Sequence, residues 1–494
     1  MTTQDVATTP VSSLRRTRVS LLSLFFVMYI LVSGGSFGIE DMVSWSGPGL
    51  ALLLLLVLPI FWSLPMALVA SELGSAIPGE GGFYVWIRRA LGDFWGFQAA
   101  WWWSLSIFVD ASVYVVLAVG YLQNWLGFSQ IWFYLVCWAI IAVFALMNII
   151  GVRVLALGST VFSILILAPF VVLIVVGLAK WQFNPFTPVT APGQPFFGTG
   201  GVFALGLAIG VWMYSGYESM STLAGEIRNP QKLIPRALLL ALPFVMLMYV
   251  LPTLASLAGY GHWDAFAVEA GDGSVSFIEL ARALGGSALG VAMLVSALLG
   301  NLALYLDYMA VGARPLFAIA ADGLFPRSIS RVSRRFGTPV AAIVLMAVVN
   351  AVLIIGPFRN LIVIDVILFI SSYVLIFISA VRLRVSEPGL KRPFRVPLGT
   401  KGLIAMVVPP ILIVIFTIYV NVIDRSTELF GISGFSLFGQ DVGWYGIAGF
   451  AALLSGLVLY YVFRAVYGGP GSPSSEAGKE AIALAEAEAA EDSA

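Results

Sequence analysis

Leu31-Val32-Ser33-Gly34-Gly35-Ser36-Phe37-Gly38-Ile39-Glu40 interrupts the first long apolar run of the chain. Glycine costs about 1 kcal/mol against alanine inside a helix. Two adjacent glycines between serines therefore predict an unwound stretch near the middle of that run. A second interruption reads Trp212-Met213-Tyr214-Ser215-Gly216-Tyr217-Glu218-Ser219-Met220-Ser221, with a glutamate directly after the small residues. Working outward from these two stretches, hydrophobicity divides the chain into twelve segments, each long enough to cross a bilayer core as a helix. They lie at about 19–44, 49–71, 94–122, 131–150, 155–179, 201–224, 237–258, 286–313, 339–356, 360–381, 402–422 and 444–467. The interruptions fall in the first and sixth segments, equivalent members of two five-helix halves at about 19–179 and 201–381. Matching interruptions in two halves point to a ligand site built on inverted repeats. Close helix packing is the alternative use of the same small residues.

Composition agrees with a membrane protein. Of 494 residues, 60% are hydrophobic and only 11% charged, against about 25% charged in soluble domains. A water-soluble globule is excluded. The 26 basic and 26 acidic residues cancel, so net charge gives no reason to expect nucleic acid as a partner. The single cysteine, Cys137, cannot form an internal disulfide, and the lone histidine, His262, excludes a multi-histidine metal site. Neither a metal nor a cofactor is expected. The apolar run starting at Val19 is too long for the core of a signal peptide.

Basic residues orient the chain. With the N-terminus in the cytoplasm, every Lys and Arg except Lys180, Arg282, Arg359 and Arg425 falls inside. The reading is a multi-pass protein of the cell membrane with both termini cytoplasmic. Residues 1–18 form an N-terminal tail, 19–467 the membrane domain and 468–494 a flexible acidic tail.

Within the spans stand Glu40, Asp110, Glu218, Asp307 and Asp365, with Asp41 beside Glu40. Intramembrane acids are expensive and usually functional. Without a basic neighbour, each is protonated, hydrogen-bonded to backbone or water, or ready to receive a cation. The topology puts Glu40, Asp41 and Asp365 in an outer vestibule, Asp110 and Glu218 near the middle, and Asp307 deeper. Aromatic residues accompany them: Phe37, Tyr114, Trp212, Tyr214, Tyr217, Tyr305 and Tyr308. Ring faces attract ammonium groups. The candidate binding set is Ser33, Gly34, Gly35, Ser36, Phe37, Asp110, Tyr114, Trp212, Tyr214, Tyr217, Glu218, Asp307 and Tyr308. Glu218, Asp307 and Asp110 are the candidates for carrying a coupling proton.

Four loop sequences carry a family resemblance: Glu72-Leu73-Gly74-Ser75-Ala76-Ile77-Pro78-Gly79-Glu80-Gly81-Gly82-Phe83-Tyr84-Val85-Trp86, Gly225-Glu226-Ile227-Arg228-Asn229-Pro230, Asp322-Gly323-Leu324-Phe325-Pro326 and Arg392-Pro393-Phe394-Arg395-Val396-Pro397. With them the chain resembles the amino acid/polyamine/organocation (APC) superfamily over about residues 20–465. Ser33–Asp41, Asp93–Gln98 and Ser221–Glu226 resemble most the polyamine uptake transporters of plants and their bacterial relatives. Ser36 stands where those relatives tend to have proline, and Glu218 where plant members have aspartate. The resemblance implies an all-α membrane protein of the LeuT type, a 5+5 inverted repeat with helices 1 and 6 interrupted, plus helices 11 and 12. It further implies alternating access and proton-coupled uptake or exchange. It does not imply an enzyme.

The expected function is secondary transport of polyamines resembling putrescine or spermidine. An amino-acid transporter of the same fold, or a membrane receptor that binds without transport, are the alternatives. The loop Asn124–Gln130 holds no cysteine for a disulfide-linked subunit. The sequence leaves the oligomeric state open.

Overall fold

The computed structural model describes Leu14 and residues 16–79, 81–197, 201–267, 275–355, 358–422, 435–437, 440–442 and 444–470. Most of the two predicted tails lies outside the described residues, as do Arg425 and the side chain of Arg359. The elements in chain order are α1 (Leu21–Val32), α2 (Ile39–Ser46), α3 (Pro48–Phe61), α4 (Ser63–Ala76), α5 (Phe83–Leu91), α6 (Asp93–Leu126), α7 (Gln130–Ile150) and α8 (Val152–Ala179). They continue with α9 (Val202–Met213), a 3-10 stretch at Ser219–Glu226, α10 (Pro230–Tyr260), α11 (Phe277–Gly285), α12 (Ser287–Ala321), α13 (Val340–Leu353), α14 (Phe358–Ser386), α15 (Thr400–Val422) and α16 (Trp444–Tyr467).

Counting α3 and α4 as one, nine helical stretches among the described residues are long and apolar enough to span a membrane. The helices α1, α9 and α13 are apolar but shorter. Three features depart from the spans read in the sequence. The short helices α5 and α11 fall in predicted loops, and both are amphipathic rather than uniformly apolar. A small antiparallel hairpin, β1 (Phe435–Leu437) with β2 (Gln440–Val442), precedes α16. The all-α class holds apart from that hairpin.

The first apolar run is two helices rather than one. Gly34, Gly35 and Gly38 have φ of 57°, 121° and 103°, values that side chains with a Cβ rarely adopt. The Ser33 hydroxyl donates to the Gly35 carbonyl at 2.9 Å and closes the turn locally. After α9 the chain is again irregular at Tyr214–Glu218, with Gly216 at φ 109°. It resumes as a 3-10 stretch, not an α-helix. The two breaks abut. A Cβ on Gly216 would lie 2.6 Å from the Leu31 carbonyl oxygen, so only glycine fits there.

Long helices hold the breaks in place. The α12 helix packs on α6, α8 and α1, and α14 packs on α6. The Tyr249 hydroxyl of α10 stands between the Val32 carbonyl at 3.1 Å and the Met213 carbonyl at 2.9 Å, one from each break. These carbonyls have lost their helical donors, and an unpaired buried carbonyl is costly in an apolar medium.

Candidate functional site

Four side chains of α6 recur about a turn apart and so share a face: Trp103, Ser106, Asp110 and Tyr114. That face looks at the two breaks, at α12 and at α14. Asp110 is 8% exposed. The Tyr114 hydroxyl donates to its Oδ2 at 3.4 Å, and Tyr308 and Trp212 face the same carboxylate. The Tyr114 and Tyr308 rings stack with centroids 5.4 Å apart. Tyr308 also donates to the Leu31 carbonyl at 3.2 Å, on the edge of the first break.

Asp365 of α14 does not line an open vestibule. It is buried, accepts a hydrogen bond from Ser106, and lies close enough to Asp110 for the two charges to repel. Its bond to Ser106, one turn before Asp110 on α6, ties it to the Asp110 face. Glu218 is fully buried just past the second break. Its Oε1 accepts from Trp103 Nε1 at 2.9 Å and from the Ser219 hydroxyl at 3.1 Å, and its Oε2 from the Tyr373 hydroxyl. Tyr308 is within electrostatic reach of Asp110, Glu218 and Asp365 together. One face of α6 thus links three carboxylates: it carries Asp110, bonds Asp365 through Ser106 and bonds Glu218 through Trp103.

Asp307 stands apart from them. Adjacent residues on a helix point about 100° apart, so when Tyr308 faces α1 and α6, Asp307 faces α8. Its Oδ1 accepts from the Ser159 hydroxyl at 2.7 Å, and its buried Oδ2 has no hydrogen-bond partner among the described residues. The other two acids expected at the outer vestibule are Glu40 and Asp41. Glu40 is buried, its oxygens accepting from Gly38 N at 2.8 Å and Phe277 N at 3.0 Å. It pins the start of α11 over the first break. Asp41 is half-buried on α2.

The aromatic residues divide in the same way. Phe37 packs with Phe170 and Phe277 beneath α11, and Trp212 lies over Gly38 and turns toward Asp110. Tyr214 donates to the Leu55 carbonyl at 2.7 Å and packs on Tyr249, while Tyr217 is fully buried near both. These two brace the second break rather than face the acids. Ser36 donates to the Met248 carbonyl and also serves the backbone. Ser33, Gly34 and Gly35 form the break itself.

Trp103, Ser106 and Tyr373 touch the carboxylates and were not singled out from the sequence. The signal was present. Trp103 and Ser106 repeat along the Asp110 face, and Tyr373 follows Asp365 two turns later on α14. Among the described residues, no Lys or Arg forms an ion pair with Asp110, Glu218, Asp307 or Asp365.

Basic residues pair elsewhere, where the segments that follow the second, sixth, eighth and tenth predicted spans meet. Arg314 pairs with Glu226 at 2.7 Å, both buried. Glu72 is buried between Arg384 and Arg392. Arg88 reaches Asp93 at 2.7 Å and Asp322 at 2.6 Å. Burial lifts the Asp322 carboxyl above its ordinary value, with Arg88 pulling the other way. Thr17 of the N-terminal segment joins this end, donating to the Glu226 carbonyl at 2.7 Å and accepting from Arg228 N at 3.0 Å.

The family model described as "Amino acid permease" matches residues 19–466. Polyamine transporter PUT1 of Oryza sativa subsp. japonica is 33% identical over 436 residues, covering 86% of this chain and 78% of the relative. Polyamine transporter RMV1 of Arabidopsis thaliana is 33% identical over 442 residues, covering 87% and 85%. A probable polyamine transporter of the same plant is 32% identical over 402 residues, covering 80% and 78%.

Proposed function

From the premise that the chain belongs to the amino acid permease family of multi-pass membrane transporters, we propose that it is a secondary transporter of organic diamines and polyamines. One observation carries this reading. Asp110, Asp365 and Glu218 are buried along one face of α6, tied to it through Ser106 and Trp103, without a Lys or Arg pairing with them among the described residues. Buried charges require a partner, and a substrate ammonium supplies it. Tyr114, Tyr308 and Trp212 add ring faces, each worth about 0.5–2 kcal/mol to a cation. The curated relatives named as polyamine transporters support the same substrate class.

Three of the N–H groups that a substrate carboxylate could use at the breaks are already taken. A carboxylate would need free N–H groups at a helix break. Gly35 N is taken by the Ser33 hydroxyl at 3.3 Å, Gly38 N by Glu40 and Gly216 N by the Tyr373 hydroxyl at 2.8 Å.

We take the fold as twelve crossings in a LeuT-type 5+5 repeat. The short apolar helices α1, α9 and α13 supply three of them, and α2 and the 3-10 stretch Ser219–Glu226 continue the first and sixth. The end rich in ion pairs is cytoplasmic in this reading, and its buried pairs close the inner side while the amine enters from outside. Asp307 carries the coupling proton. It is separate from the other acids, and its Oδ2 has no partner among the described residues.

The test is uptake of radiolabelled putrescine into proteoliposomes under an imposed proton gradient. The wild-type chain should accumulate putrescine, and a protonophore should abolish the accumulation. Binding without accumulation, under either a gradient or exchange conditions, would instead make it a receptor. In the same vesicles Asp307→Asn should flatten the pH dependence of uptake. An unchanged pH profile would remove Asp307 from the proton path.

A further inference from the structure

The hydroxyl of Tyr373 does two things at once. It accepts a hydrogen bond from Gly216 N at 2.8 Å, a backbone group freed by the second break, and it donates to Oε2 of Glu218. A phenol has one proton to give, so accepting from Gly216 leaves that proton to Glu218. The ring is held independently. It is 1% exposed, stacked on Trp62 with centroids 5.4 Å apart, and packed on Phe369 at 4.7 Å. Trp62 in turn donates to the Ser215 hydroxyl at 3.1 Å, beside the same glycine.

The three partners of Glu218, namely Trp103, Ser219 and Tyr373, all donate to it. With three of its roughly four acceptor sites filled and no exposed surface, the carboxylate keeps one open site, on Oε2 beside the Tyr373 hydroxyl. An incoming ammonium carries several donors and competes with Tyr373 at that oxygen.

Resting on the cation reading above, we propose that Tyr373 is a positioning residue that makes the second break respond to substrate. An ammonium reaching Glu218 displaces the Tyr373 hydroxyl, which then lets go of Gly216 N. Binding at the carboxylate is thereby converted into release of the backbone at the break. Trp103 is the built-in comparison. It donates to the other oxygen of the same carboxylate and touches neither Gly216 nor its neighbours through that bond.

The experiment measures putrescine affinity and maximal uptake rate separately, in proteoliposomes, for the wild-type chain, Tyr373→Phe and Trp103→Phe. Tyr373→Phe removes a competitor for Glu218, so affinity should tighten about threefold to tenfold, the worth of one hydrogen bond. Its maximal rate should fall, because the break no longer senses the ligand. Trp103→Phe should tighten affinity with a smaller loss of rate than Tyr373→Phe. Affinity and rate falling together in Tyr373→Phe, both staying unchanged, or Trp103→Phe slowing as much, would overturn the relay. Should Tyr373→Phe fail to fold, amide exchange in the wild-type chain decides the matter. Saturating putrescine should speed exchange over residues 214–219, and protection there would overturn the proposal. A wild-type chain that binds no putrescine at all defeats the cation reading itself, a result distinct from each of these.

Discussion

Replacing Asp110 by asparagine should weaken putrescine binding about thirtyfold or more, in line with the roughly 2–5 kcal/mol lost when one partner of a buried charge pair is removed. The amide keeps the shape and can still accept from Tyr114. It brings no charge. Asp110 is the least enclosed of the three converging carboxylates, with Tyr114, Tyr308 and Trp212 about it. Glu218 already has three donors and Asp365 is bonded to Ser106. On the proposed reading an ammonium meets Asp110 first. Equilibrium binding of labelled putrescine to purified protein checks this, with wild-type thermal stability as proof of folding. Wild-type affinity in Asp110→Asn would move the ammonium site elsewhere.

Removing the Arg314 side chain should be the most destabilising single change among the charged residues. Arg314 and Glu226 are 1% and 2% exposed and form two hydrogen bonds, at 2.9 and 2.7 Å, to one carboxylate oxygen. Breaking a buried pair from one side costs about 3–5 kcal/mol, because the remaining charge stays buried, whereas replacing both partners by apolar groups is often neutral. Arg314→Ala should therefore lower the thermal unfolding midpoint in detergent sharply. The double change Arg314→Met with Glu226→Leu should recover most of it. A midpoint unchanged in Arg314→Ala would mean that water reaches the pair. Glu226 also holds Thr17 of the N-terminal segment through its carbonyl.

Different parts of this molecule differ in how far their residues announce them. The helix breaks were legible because glycine at positive φ has few substitutes, and Gly34, Gly35 and Gly216 stand where the backbone needs it. The apolar spans were legible because lipid admits little else. The helices α5 and α11 were hidden by their shortness and mixed polarity. At the site, the acids themselves were visible, but which of them meet was not. Asp307 and Tyr308 are neighbours in sequence and face different helices, whereas Asp365 and Ser106 are far apart in sequence and bond. Tyr214 looks like a wall of the site by proximity to the break, yet its hydroxyl serves the Leu55 carbonyl. The buried pairs Glu226–Arg314 and Glu72–Arg384 join helical elements from different parts of the chain, and no local pattern marks such partners.

The neutral total of 26 acids and 26 bases acquires a different meaning once the residues are placed. Many bases pair at one end of the helical domain, and the three central carboxylates are left with hydroxyl and indole donors alone among the described residues. That separation is the physical basis for expecting a cation as cargo. Competition against labelled putrescine uptake, with a panel of diamines, polyamines and zwitterionic amino acids, tests it most directly. The diamines and polyamines should compete and the amino acids should not. Competition by amino acids with none by diamines would contradict the account.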